Sequence, residues 1–149
     1  MLYKVGQMSL YVRTKSKFGF RISEWMIALQ TFTFGAVLLL PNETYNTSPV
    51  FNFLRHVVSE EVLGIFMLAI GATHLVALTI NGARQDVTPT LRAVSAFIGF
   101  MAWTLISFSF ALSGVVSTWI AIYPFIAGFE LVNMYRATHD AGEYSGGTS

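Results

Sequence analysis

The sequence predicts an all-α polytopic membrane protein: a bundle of four transmembrane helices with both termini in the cytoplasm (N-in/C-in). Three observations predict it. Hydrophobic residues make up 54% of the 149 residues and charged residues 11%, against about 25% charge in ordinary soluble domains. Four stretches are apolar all round over roughly 20 residues, the length a helix needs to cross a bilayer; a soluble bundle would carry polar stripes instead. Finally, the basic residues gather on one side of those stretches.

The chain reads as a single membrane domain over residues 1–149. Residues 1–22 mix Lys4, Arg13, Lys15, Lys17 and Arg21 with Leu2, Tyr3, Leu10, Tyr11, Phe18 and Phe20. They form either a basic arm that lies on anionic lipid or a plain positively charged tail. Span one covers residues 23–40, opened by Ser23-Glu24 and closed by Pro41. No small-residue cleavage site follows it, so it reads as a retained span rather than a secretory signal. Span two covers 61–80, between Ser59-Glu60-Glu61 and Asn81-Gly82. Carboxylates at the start of both helices suit the positive end of the helix dipole. Span three covers 92–112 and span four 116–136, joined through Ser113-Gly114 as a tight hairpin. Residues 141–149 read as a flexible tail.

The first outer connection holds Val50, Leu54 and Val57 at helical spacing, which suggests a short surface helix over 49–59. It also holds Asn42-Glu43-Thr44 and Asn46-Thr47-Ser48, which match the N-glycosylation pattern but carry meaning only in a secreted eukaryotic setting. Of nine basic residues, five precede span one, Arg84 and Arg92 flank the loop between spans two and three, and Arg136 follows span four; Arg55 alone lies on the other side. Basic residues stay in the cytoplasm, which orients the bundle. Trp25 and Tyr135 fall at the inner interface and Trp119 at the outer one, as aromatic anchors do, while mid-span Trp103 reads as a packing residue.

Polar groups inside a span are the default functional candidates. At about 1.5 Å per residue, Gln30, His74 and Glu130 fall in one layer, about 10 Å deep in the inner leaflet. They read either as a polar cluster lining a water path or proton relay, with His74 bonded to Glu130, or as an interhelical bond that fixes packing. The second is the preferred reading, since a lone His and a lone Glu on different spans match no motif. Small residues at Ala69, Thr73 and Ala77 on span two, and at Ser95 and Gly99 on span three, are expected helix-packing stripes within or between chains. Pro124 in span four withdraws a backbone donor and predicts a kink.

Several chemistries are excluded. With no cysteine there is no disulfide, thiol catalysis, iron–sulfur cluster or zinc ribbon. No span carries a histidine pair for haem or a lysine for a retinal Schiff base, and phosphate-loop, HExxH and GxSxG motifs are missing. No catalytic residue, metal or cofactor is expected. A net charge of +1 gives no reason to expect a nucleic-acid partner; the partners are the lipid bilayer and either further copies, as a homo-oligomer, or another membrane protein.

Short pieces carry a resemblance: Phe53-Leu54-Arg55-His56, His74-Leu75-Val76-Ala77-Leu78 with Asn81-Gly82 and Arg84, Leu91-Arg92-Ala93, Tyr123-Pro124, and Tyr135-Arg136-Ala137 with Asp140. Over roughly residues 49–140 the chain resembles small multi-spanning membrane proteins of tailed bacteriophages and prophages. The resemblance implies a host inner (plasma) membrane location and no assignable functional residues. It suggests first a holin-like protein that self-associates and permeabilises the membrane. The alternative is a non-catalytic accessory subunit or superinfection-exclusion protein acting within a membrane complex. A small proton-coupled transporter using His74 and Glu130 comes last.

Overall fold

The computed structural model describes residues 21–41, 43–80 and 88–145. The basic arm before Arg21, the 81–87 segment and residues 146–149 lie outside these. The described residues form helices and turns, with no strand among them. We number the long helices α1 (Ile22–Leu38), α2 (Glu60–Ile80), α3 (Thr88–Leu112) and α4 (Trp119–Ser145). Two of them, over Glu60–Ile80 and Pro89–Leu112, are long and apolar enough to cross a membrane.

The helix boundaries follow from local chemistry. α2 opens on acidic Glu60 and Glu61, which favour the N-terminal dipole. Pro89 sits in the first turn of α3, where its missing N–H costs nothing. At the end of α3, Ser113 N donates to Ser109 O (3.1 Å) and Gly114 takes φ +72°, a left-handed closure that suits glycine. α4 begins only at Trp119, three residues after the expected start, because residues 113–118 are spent on this turn. It continues through residues 141–145 to Ser145, so that part of the expected tail is helical. Pro124 lies inside α4 and leaves the Ile120 carbonyl without its usual helical donor.

The helices run alternately up and down. α1 packs extensively on α2, and α3 on α4; α2 against α3 and α1 against α4 close the ring. The α1–α2 contact is made at backbone distance. A Cβ added at Gly71 would stand 2.6 Å from Phe32 Cα, and one at Gly35 would stand 2.7 Å from the Gly64 carbonyl oxygen. Gly64 and Gly71 are seven residues, two turns, apart, so both face α1.

One end of the bundle, the loop end, carries the connection over residues 41–59. This is not one surface helix but a helical turn, Thr44–Thr47, followed by 3-10 turns Pro49–Phe51 and Leu54–His56. Tyr45, Phe51 and Leu54 are buried, whereas Val57 is exposed. Glu60 ties the connection down by accepting from the backbone N–H groups of Thr44 (2.8 Å) and Tyr45 (3.1 Å).

Candidate functional site

The interior has two layers. Toward the loop end it is aromatic. Tyr45 stacks on Phe51 (4.8 Å), Phe51 meets Phe110 edge-on (4.9 Å), Phe110 meets Tyr123 (5.2 Å), and Tyr123 stacks on Trp103 (5.5 Å), which touches Phe34 (4.9 Å). Such pairs favour these offset and edge-to-face geometries. The aromatic layer ends where Trp103 Nε1 donates to Thr31 Oγ1 (3.0 Å) between α3 and α1.

Beyond that bond the interior is charged. Arg92 of α3 donates through Nε to Glu24 Oε2 (2.7 Å) and through Nη2 to Glu24 Oε1 (2.6 Å), a two-pronged ion pair with both side chains 1% exposed. Its Nη1 donates to Asp140 Oδ2 on α4 (2.9 Å), and Asp140, 35% exposed, also pairs with Arg21 (3.3 Å). Beside this network Ser23 Oγ donates to Asn133 Oδ1 (3.1 Å) and accepts from Arg136 Nη1 (3.4 Å). α1, α3 and α4 are thus tied together at this charged end.

Three further polar side chains, His74, Glu130 and Asn133, are buried in the bundle. His74 and Glu130 are at most 1% exposed, and both lie within electrostatic reach of Glu24. Neither ring nitrogen of His74 has a hydrogen-bond partner, so His74 and Glu130 are not bonded to each other; the Glu130 carboxyl and the Asn133 amide lie close enough to interact but fall short of good hydrogen-bond geometry. Asn133 stands one turn from Glu130 on α4. Gly99 makes room for the carboxyl: a Cβ there would lie 3.0 Å from Glu130 Cδ and collide with Oε1.

Gln30 departs from the expected layer. It is exposed on α1: its depth matches, but a helix turns about 100° per residue, and it is the neighbouring Thr31 that faces inward. Glu24 supplies α1's ionisable group. Arg92 departs as well. It was expected as a cytoplasmic flank, yet it lies in the second turn of α3 and is buried. Among the small residues, Ala77, Ser95 and Gly99 are buried, whereas Ala69 and Thr73 face outward, where Thr73 Oγ1 donates back to Ala69 O (2.8 Å).

Sequence reasoning missed the Glu24–Arg92–Asp140 network. The signal was there: Glu24 and Arg92 fall in the first two turns of helices that start at the same end, with opposite charge. Among the described residues no three His, Asp or Glu side chains converge to hold a metal ion. Compared with protein-family models, curated proteins and solved structures, the chain matches none. Fold and site together define a class: an all-helical chain with helices suited to a bilayer and its charge turned inside.

Proposed function

We propose that the chain spans the plasma membrane four times, with both termini in the cytoplasm, and works there as a non-catalytic accessory or interaction protein. One observation carries this reading. Glu24, His74, Arg92 and Glu130 all point into the bundle, while Met26, Val76, Met101, Phe108, Phe125 and Val132 point out. That is the arrangement favoured by a hydrocarbon solvent, and it extends to α1 and α4 as well as to the two longer apolar helices. The basic residues before α1 support the inside assignment of the charged end. The resemblance to small phage membrane proteins supports a host inner membrane as the location.

A holin-like pore would need a polar face to line a lumen between copies. The outward polar side chains within the helices, such as Gln30, Thr33, Thr73 and Thr104, are spread over α1, α2 and α3. A bundle tied internally by ion pairs meets its partners through apolar surface instead.

Induced expression in a bacterium, followed with a potential-sensitive dye, tests the choice. The accessory reading expects the membrane potential to hold at high expression. Abrupt collapse would overturn it in favour of the holin reading. Topology is tested separately with single cysteines, since the chain has none: Thr47→Cys should react with an impermeant thiol reagent in intact spheroplasts, and Ser16→Cys and Thr148→Cys only after lysis.

A further inference from the structure

The fold keeps three buried polar groups that its own hydrogen bonds do not satisfy. Leaving a buried donor or acceptor unpaired is costly; both ring nitrogens of His74 are in that position, and Glu130 has only a poorly formed contact with the Asn133 amide. They are not a packing accident at a loose surface. Glu130 is 0% exposed, and the space for its carboxyl exists because residue 99 is glycine. The neighbouring Glu24 turns both of its oxygens to Arg92.

The region is also sided. Toward the charged end, half-buried Arg136 donates to Ser23 and Ser23 donates to Asn133, so a line of polar atoms leads from the bundle end to the turn that carries Glu130. Asp140 opens to solvent at that same end. In the other direction Ala102, Trp103, Ile106 and Phe110, each at most 6% exposed, close the interior.

We propose that His74, Glu130 and Asn133 wall a one-sided proton-binding chamber, which takes up water and one exchangeable proton from the side on which Asp140 opens and holds them against the aromatic layer. The chemistry matches the groups present. A carboxylate and an imidazole nitrogen are the two side-chain bases that accept a proton readily, and the Asn133 amide beside Glu130 is a donor to a carboxylate or to water. Uptake makes one O–H or N–H bond at Glu130 or His74 and breaks one O–H bond of a hydronium ion; nothing is oxidised. Glu24 from α1 lies within electrostatic reach of both Glu130 and His74, and Arg92 from α3 within reach of His74; Arg136 and Asp140 of α4 and Arg21 before α1 stand toward the charged end. Membrane proteins that sense or relay protons place carboxyl and imidazole groups inside the bundle in this way.

The inference rests on the four-span reading only for which compartment supplies the proton. Infrared titration of the full chain in lipid nanodiscs tests the chamber without reference to orientation. Wild type should show a carboxylic-acid carbonyl band that appears and disappears reversibly with pH. Glu130→Gln should remove that band and Asp140→Asn should retain it; Glu130→Asp should move it, and His74→Gln should shift its midpoint. A titrating band that survives Glu130→Gln unchanged would overturn the proposal, as would a His74→Gln midpoint equal to wild type. Vesicles holding the wild-type chain should keep an imposed pH gradient as long as protein-free vesicles do. Rapid proton leak would overturn the one-sidedness.

Discussion

Replacing Arg92 by methionine removes the guanidinium that binds Glu24 twice and Asp140 once, at 2.6–2.9 Å. Methionine fills most of the volume, so the loss is electrostatic rather than steric. Glu24 would be left 1% exposed with no cation, and breaking a buried pair from one side costs about 3–5 kcal/mol. Glu24→Met should cost less, near 3 kcal/mol at the low end of that range, because Arg92 keeps its bond to Asp140. The double variant Glu24→Met/Arg92→Met leaves neither charge stranded, and Asp140 retains Arg21. Buried ion pairs exchanged for apolar groups are often neutral or stabilising, so the double variant should unfold within about 1 kcal/mol of wild type or above it. Reversible unfolding in mixed micelles of increasing denaturing-detergent fraction, followed by tryptophan fluorescence, measures all four proteins. If the two single losses add to within about 0.5 kcal/mol in the double variant, the two side chains are not coupled and the network does not hold α1 to α3.

Gly35→Ala and Gly71→Ala each place a methyl against the backbone of the opposing helix, where it cannot be turned aside, and should cost about 1–3 kcal/mol in the same assay; Gly128→Ala, with nothing within 4 Å, should be neutral or gain up to about 1 kcal/mol. Trp103→Phe keeps a ring on Tyr123 but deletes the bond to Thr31, and should lose about 1–2 kcal/mol; unchanged stability would remove that bond from the bundle's energetics. Tyr45 lies in the loop-end connection with a buried, unpaired hydroxyl, and burial, then the Glu60 charge, pushes its ionisation above the usual 10.0. The unfolded tyrosine therefore releases its proton at lower pH than the folded one, so folded-state stability falls as pH rises past about 10. Tyr45→Phe should weaken this alkaline loss and cost nothing at neutral pH; an identical alkaline profile would show that Tyr45 does not contribute.

Much of the architecture is legible in the sequence because it follows a simple rule: long apolar helices separated by short polar punctuation. Glu60-Glu61 and Ser113-Gly114 mark helix ends by chemistry that acts within a few residues, and the helices follow them closely; α3 starts at Thr88, ahead of the expected residue 92, because Pro89 is accommodated in its first turn. Which way a residue faces is less legible. Gln30 and Thr31 share a depth but not a direction, and only packing against α2, α3 and α4 decides that threonine goes inward. Arg92 illustrates a second difficulty. Counting it as a flanking charge treats it alone, whereas its position depends on Glu24 and Asp140, far away in sequence and brought near only when three helices pack. The glycine contacts are legible in principle, since Gly64 and Gly71 repeat at two turns, but they lie outside the small-residue stripes at Ala69, Thr73 and Ala77 and at Ser95 and Gly99.

The ion pair across the bundle also sets an order on how the protein can be made. Glu24 precedes Arg92 by 68 residues, so the ribosome delivers the acid well before the base that neutralises it. The α1–α2 hairpin can close at once through its glycines, since none of those contacts waits on later sequence. On the four-span reading, Glu24, in the first turn of α1, remains among lipid headgroups in the meantime, where a charge is tolerated. Entry of α3 then admits Arg92, and only after that can the hairpin's charge be drawn inward. On that same reading, a chain stalled between the two hairpins would hold an acid with no counter-ion at the bilayer edge, a chemical mark that distinguishes an unfinished chain from a finished one.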